Sequence, residues 1–320
     1  CSVRRQRQMC IRDRPKGVLH AHRVLLGHLP AFDFYLDLFS TYKNITYNLL
    51  WTPADWAWIG GLLNILFSSL HHGVPVLAYR FEKFDALKAI QLMSEFKVTG
   101  SFLPPTALKM LRTAIPKTTS KKLFLKSVAS GGEPLGTELL DWGKKVLGVN
   151  INEFYGQTEC NLVLSSCSKI MKPRPGIVGP PVPGNIVSVI DQNGTKCKKG
   201  QLGTIAIKKG SPQMFLRYWN NTNATNEKYI NDWMITGDKG VIEKDNWIRF
   251  VARDDDVITS GGYRIGPGPI EDCLMQHPSV SMAAVIGKKD SLRTQIVKAF
   301  IVLNKGCLLY TSPSPRDWLQ

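Results

Sequence analysis

The chain has 320 residues, 43% of them hydrophobic and 21% charged, with a formal net charge of +16. That is the composition of a globular protein large enough for one big domain or two smaller ones. It holds no internal repeat, no low-complexity tract and no run near the roughly 18 apolar residues of a membrane-spanning helix. The charge invites a nucleic-acid reading, but the lysine doublets at 121–122, 144–145 and 208–209 lie in different segments. Scattered in this way they read as solvated surface, and no nucleic-acid partner is expected.

In chain order, the first segment is a basic arm, CSVRRQRQMCIRDR, with five arginines and one aspartate. It resembles an Arg-rich targeting peptide. A sharper reading comes from its DNA. RRQRQMCIRD (Arg4–Asp13) and CLLYTS (Cys307–Ser312) can be encoded by reverse-complementary strings, and both ends look like translated adaptors of short-read sequencing libraries. Residues 1–14 and 307–320 are therefore expected to be non-native, and the genuine segment to be a fragment cut at both ends, 15–306. Of seven cysteines, Cys1, Cys10 and Cys307 fall in those ends. Cys160, Cys167, Cys197 and Cys273 form no pair of zinc-site spacing, which suggests reduced thiols and a cytoplasmic location.

From 60 the run GGLLNILFSSLHHGVPVLAYRF reads as a buried helix followed by a strand at VPVLAYRF. DALKAIQLMSEF has apolar residues at helical spacing, with Asp85 placed to cap it. KVTGSFLPP predicts a strand stopped by Pro104 and Pro105, and TALKMLRTAI predicts a helix. LKSVASGG predicts a strand, LGTELLDWGKKVLG a helix closed by Gly148, and VNINEFYG a further strand. This alternation predicts a parallel sheet covered by helices, with ligands beyond the strand C-termini. After 176, short strands separated by Asn-Gly, Lys-Gly and Asp-Asn turns predict an antiparallel β region. Beyond RDDD a glycine-rich turn, a helix and two strands predict the start of a small α+β domain. The fold class is thus α/β, with a large domain at 15–254 and a small C-terminal domain at 255–306.

The chemistry gathers at SVASGGEPL and NEFYGQTEC. Glycines 131 and 132 let a flat ring approach the backbone. Pro134 stiffens the turn, and Tyr155 offers a stacking face. Gln157 and Thr158 bring hydrogen-bonding groups, and Glu159 brings an oxygen ligand for a hard cation. A nucleotide base, a phosphate and Mg²⁺ are all served at one end of the sheet.

SGGEPL, EFYGQTE, YWNN, TGD, FVARDDD and GGYRIGP occur here in the order found in the adenylate-forming superfamily, and PKGVLHAHR is similar to the end of its phosphate-loop motif. The resemblance spans Pro15 to about Lys305, and its pattern is nearest to medium-chain acyl-CoA synthetases. It implies a carboxylic acid substrate, ATP, Mg²⁺ and coenzyme A. Gly132, Glu133 and Pro134 would line the adenine pocket, with Glu153, Phe154 and Tyr155 on its other side. Thr158 would reach the α-phosphate and Glu159 would bind Mg²⁺; the latter also suits a helix-start carboxylate. Asp238 would accept from both ribose hydroxyls, although a turn aspartate is the plainer alternative. Arg253 and Arg264 would add positive charge near ribose and phosphate, where a surface ion pair with Asp254–Asp256 is the alternative for Arg253.

Asp255 would be the hinge of the small domain. Gly262 would pass the coenzyme A arm. Gly156 stands where acetate-specific relatives carry Trp, so it implies a longer acyl pocket, with Trp56 and Trp58 as wall residues or plain helix core. Pro269 replaces a usual Glu and Ala252 a usual Gly. The glycine- and threonine-rich part of the phosphate loop and the C-terminal lysine lie outside the genuine segment. Little adenylation activity is therefore expected of this polypeptide alone. The alternatives are an aryl- or amino-acid-adenylating ligase and a nucleotide-binding remnant without catalysis. The sequence implies nothing about oligomeric state.

Overall fold

The computed structural model describes residues 16–41, 48–115, 122–132, 135–261, 263–290, 293–304 and 306–307, with backbone alone for Asp255 and Arg264. Residues Glu133, Pro134 and Gly262, residues 1–14 and most of 307–320 lie outside that set.

At the N-terminal end, β1 (Val18–Leu19) pairs antiparallel with β9 (Arg217–Tyr218). The central sheet has the order β2 (Leu50–Trp51), β3 (Gly100–Phe102), β4 (Ser127–Gly131), β5 (Ile151–Gln157), β6 (Asn161–Ser165). Strands β2 to β5 are parallel, as the alternation of strands and helices predicts, and β6 returns antiparallel to β5. Period-two alternation sorts the side chains between two cores. Leu50, Phe102, Ala129 and Phe154 face the helix Val24–Tyr35. Trp51, Val128 and Ile151 face the helices Ala86–Glu95 and Pro105–Ala114.

The local signals explain these elements. Asp85 Oδ1 accepts from the N–H groups of Leu87 at 2.8 Å and Lys88 at 3.1 Å, closing the N-terminus of its helix. Pro105 opens the next helix, where its missing N–H is not needed. Gly148 ends the helical run 137–147 at φ +74°, a left-handed cap. The expected strand VPVLAYRF is instead a single bridge, Leu50 to Val76. Its partner β2 is only two residues long, and Pro75 has no N–H to give a ladder. The expected buried helix holds a π-helical stretch, Leu62–Phe67.

The antiparallel region joins β7 (Val187–Ile190), β8 (Leu202–Lys208), β11 (Trp233–Ile242) and β10 (Tyr229–Ile230), with β12 (Ile248–Arg253) on β11. The last sheet runs β14 (Tyr263–Ile265), β13 (Ile258–Ser260), β16 (Thr294–Leu303), β15 (Val280–Asp290), and the helix Pro267–Met275 packs against β15. Pro269 sits in the first turn of that helix without breaking it.

A polar knot fixes the N-terminal ends of β4 and β5. Asp37, at φ +60°, accepts from Asn152 Nδ2 at 2.9 Å, Ser168 Oγ at 2.9 Å, the Lys169 N–H at 3.1 Å and Ser127 Oγ at 3.0 Å. A buried carboxylate with four donors is compensated for its lost hydration.

His28 is a different case. It is fully buried on the helix Val24–Tyr35, neither ring nitrogen has a partner, and burial pushes its pKa down to about 4. The unfolded residue takes its proton near the ordinary 6.5. Between those values the unfolded chain binds more protons, so stability falls as pH drops. His28→Leu should remove up to about 3 kcal/mol of that loss between pH 6.5 and 4. Thermal melts that keep the wild-type acid slope in the variant would contradict this.

Candidate functional site

The C-terminal ends of β4 and β5 meet β11 and β12 at one place. Asp238, 5% exposed, is directly opposite Arg253 across the β11–β12 ladder. Its Oδ2 accepts from the Tyr155 hydroxyl at 2.5 Å and from Gln157 Nε2 at 2.7 Å. Its Oδ1 lies 3.9 Å from Arg253 Nε. The backbone is fixed as well: the Asp238 N–H donates to Thr236 Oγ1 at 3.1 Å, and that hydroxyl donates to the Ile205 carbonyl at 2.8 Å. Burial raises the Asp238 pKa, while Tyr155, Arg253 and Gln157 pull it back. The result is an oriented carboxylate at the mouth of the parallel sheet. It is not the free turn aspartate that composition alone allows.

Of the expected residues, the structure gathers Gly132, Tyr155, Gln157, Thr158, Glu159, Asp238 and Arg253 around these strand ends. Gly132 has φ +97°, and a Cβ on it would meet only Trp58, at 3.7 Å. Trp58 is half-buried, its ring 6.0 Å from that of Phe102, so it lies over the glycine turn. Gln157 spends its amide on Asp238 and on the Thr236 carbonyl, which makes it a partner of the carboxylate. Arg253 is largely exposed and faces Asp238, while the neighbouring Asp254 pairs with Lys239 at 3.2 Å.

Two expectations change. Phe154 does not share a wall with Glu153 and Tyr155. Strand alternation sends its ring to the other face, where it packs on Tyr35 at 5.3 Å and Phe102 at 5.1 Å. Gly156 does not simply leave space open. A Cβ there would stand 1.9 Å from the Asn161 carbonyl oxygen and 2.8 Å from Leu162 Cα, in the bulged β5–β6 hairpin. Backbone contact is reason enough for glycine at this position.

The backbone of Asp255 lies in the one-turn helix Asp254–Asp256 between β12 and β13, and that of Arg264 in β14. Glu133, Pro134 and Gly262 fall outside the described residues.

Glu153 is 8% exposed. Its Oε1 accepts from the Leu135 N–H at 3.3 Å, and its Oε2 is buried without a partner. Burial pushes its pKa up to about 7, helped by Asp272 of the helix Pro267–Met275. Asp272 reaches this spot because Gly136 has no side chain: a Cβ there would be 2.6 Å from Asp272 Oδ1. Between the ordinary 4.5 and about 7 the folded state binds the extra proton. Stability therefore falls as pH rises through that window, opposite in sign to His28. Glu153→Gln should gain on wild type from pH 5 to pH 8, by on the order of 3 kcal/mol. Equal melting differences at the two pH values would refute it.

Sequence reasoning passed over His20, Tyr218, Thr236 and Asp37. Tyr218, Thr236 and His20 lie inside the quoted YWNN, TGD and PKGVLHAHR motifs; Asp37 had no local signal, because its partners are distant in sequence.

The chain matches the AMP-binding enzyme family over residues 14–219 and the AMP-binding enzyme C-terminal domain over residues 269–317. It belongs to the AMP-binding enzymes. It is 37% identical over 310 residues to the acyl-coenzyme A synthetase ACSM3 of Rattus norvegicus, labelled mitochondrial, covering 96% of this chain and 52% of the rat protein. It is 32% identical over 297 residues to an acetyl-coenzyme A synthetase of Bacillus subtilis, covering 91% of this chain and 50% of that protein.

Among solved structures, ATP-bound MatB from Rhodopseudomonas palustris superposes with a TM-score of 0.81 at 25% identity, covering 93% of this chain and 57% of MatB. The anthranilate CoA ligase AuaEII in complex with anthranoyl-AMP superposes at 0.80 with 27% identity, covering 94% and 56%. The chain thus spans about half the length of the curated relatives it matches. Among the described residues of this AMP-binding enzyme, no helix is long and apolar enough to cross a membrane, and no group of three or more His, Cys, Asp or Glu gathers as a metal site. Cys160, Cys167, Cys197, Cys273 and Cys307 are free thiols.

Proposed function

We propose that this chain carries the nucleotide site of an ATP-dependent acyl-CoA synthetase acting on medium-chain carboxylic acids. In the whole protein, a carboxylate oxygen bonds to the α-phosphorus of ATP as the bond to pyrophosphate breaks. The thiolate of coenzyme A then bonds to the acyl carbon as AMP leaves. The observation that carries the reading is the Asp238 carboxylate, oriented by Tyr155 and Gln157 at the C-terminal ends of the parallel strands. A carboxylate only accepts hydrogen bonds, so it suits two adjacent ribose hydroxyls, which would exchange with the donors it now holds.

The first step brings an anion to a polyanion, and oriented donors and cations must offset that repulsion. Thr158 offers a hydroxyl to the α-phosphate, and Arg253 and Arg264 offer charge. Glu159 is a single carboxylate with one oxygen on Tyr218. One carboxylate fits Mg²⁺, which is held chiefly by nucleotide phosphates and water. The ion would neutralise charge on those phosphates. Glu153, Gly132, Glu133 and Pro134 frame the adenine, Asp255 is the hinge, and Gly262 passes the coenzyme A arm. The acyl-length reading rests on the sequence resemblance and not on open space at Gly156, where a Cβ would meet the backbone of the hairpin. The free thiols suit a reducing compartment.

Calorimetric titration of AMP and ATP into the chain tests the nucleotide site, and absence of binding to either overturns it. A thioester assay of acids from C2 to C10 on the uninterrupted gene tests the chemistry. Preference for acetate would reject the medium-chain reading, and no thioester at all would favour a binding-only remnant.

A further inference from the structure

Glu159 sits in the turn between β5 and β6, and the turn is held from outside. The Phe215 N–H donates to the Glu159 carbonyl at 2.7 Å, and His20 Nε2 meets the Thr158 carbonyl at 2.7 Å. The side chain has its own partner: the Tyr218 hydroxyl donates to Glu159 Oε1. Tyr218 is a firm support. It is 3% exposed, its ring packs on Phe215 at 5.1 Å, and its N–H donates to Thr225 Oγ1 at 3.0 Å.

The same tyrosine touches the segment PKGVL that resembles the end of a phosphate-loop motif. Val18 pairs with Tyr218 in the β1–β9 ladder, the Leu216 N–H donates to the Leu19 carbonyl at 2.8 Å, and the Trp219 N–H donates to the Gly17 carbonyl at 2.7 Å. The Lys16 ammonium lies 5.5 Å over the Tyr218 ring. One residue therefore abuts Lys16 and Val18 and also holds the Glu159 carboxylate.

We propose that Tyr218 is a positioning residue that presents Glu159 to a divalent cation and ties that carboxylate to the phosphate-loop strand. A phenol donates one hydrogen bond, and here it goes to Oε1. That fixes the rotation of the carboxylate and leaves Oε2 for the cation. Hydrogen-bond partners of a ligating carboxylate set its orientation and basicity, and their loss weakens metal affinity about tenfold or more. The inference rests on the reading above that Glu159 meets Mg²⁺.

The test is calorimetry of the 320-residue chain with AMP, with ATP plus EDTA, and with ATP plus Mg²⁺. Wild type, Tyr218→Phe, Glu159→Gln and the double variant are compared, with a thermal melt of each to establish folding. Phe keeps the ring and removes only the hydroxyl. We expect Mg²⁺ to tighten ATP binding in wild type, and Tyr218→Phe to lose about tenfold of that increment. AMP affinity should stay within about twofold, and the Phe change should do nothing further in the Glu159→Gln background, as coupled partners require.

An unchanged increment in Tyr218→Phe, or an equal loss in both backgrounds, overturns the proposal. Equal weakening of AMP and Mg²⁺-ATP would reduce the hydroxyl to a packing role and also overturn it. If wild type binds AMP but Mg²⁺ adds nothing to ATP, the metal reading of Glu159 falls and takes the proposal with it. If nothing binds, the nucleotide reading itself has failed.

Discussion

Gly156→Ala should lower the melting temperature by roughly 10 °C, a large shift for one methyl group. The added Cβ would lie 1.9 Å from the Asn161 carbonyl oxygen and 2.6 Å from its carbon. Both atoms are backbone, so no rotamer can relieve the clash. The hairpin must open at its bulge, next to Leu162, which packs with Phe32 and Phe154 in the core. Overpacking of this kind costs up to about 3 kcal/mol, and each kcal/mol moves the melting point of a domain this size by about 2–4 °C. Gly148→Ala is the control. Its φ is +74° but nothing lies within 4 Å of its Cβ, so about 1 kcal/mol of backbone strain is all it should show. A Gly156→Ala protein that melts with wild type would mean the hairpin is not closed as described, and would return Gly156 to the acyl-pocket wall.

Asp238→Ala should weaken AMP binding about 100-fold. Hydrogen bonds to a charged acceptor contribute about 1.5–3 kcal/mol each, and the ribose would lose two. Truncation also strands the Tyr155 hydroxyl and the Gln157 amide at a buried position, so alanine alone would confuse binding with folding. Asp238→Asn separates them. It keeps the volume and an acceptor for Tyr155 but removes the charge and one acceptor. The asparagine variant should melt close to wild type and still bind AMP poorly. If it binds AMP as wild type does, Asp238 is not the ribose anchor, and the nucleotide reading loses its main support.

The helices and parallel strands from 85 onward were legible because their signals are local. Asp85 before an apolar-periodic run, Pro105 at a helix start and Gly148 at a helix end each act within one turn of chain. The single-bridge edge at Val76 was not legible. Its fate depended on the two-residue partner at Leu50, far away in sequence. The same division runs through the site. GGEP and EFYGQTE mark the strand ends, and TGD marks Asp238, because these residues form contiguous strings. Which side chains converge is a matter of pleat and register. Alternation removed Phe154 from the pocket wall, a bulge turned Gly156 toward backbone, and Tyr218 met Glu159 across 59 positions. A linear reading of EFYGQTE treats the whole string as lining, whereas a strand can offer only alternate members to one face.

The Asp37 knot has a consequence for how this scaffold can vary. It clamps β4 and β5 at their N-terminal ends, through Ser127 and Asn152, and a one-residue slip of either strand would break those bonds and reverse every side chain. Register is therefore guarded at the end of the sheet opposite the proposed nucleotide site. The tips at Gly132 and at Tyr155, Gln157, Thr158 and Glu159 are relieved of that duty, Gly156 alone excepted. Substitutions there can redirect recognition while the barrier against misalignment stays intact. Division of labour along a single strand lets one architecture diversify its substrates without renegotiating how it folds.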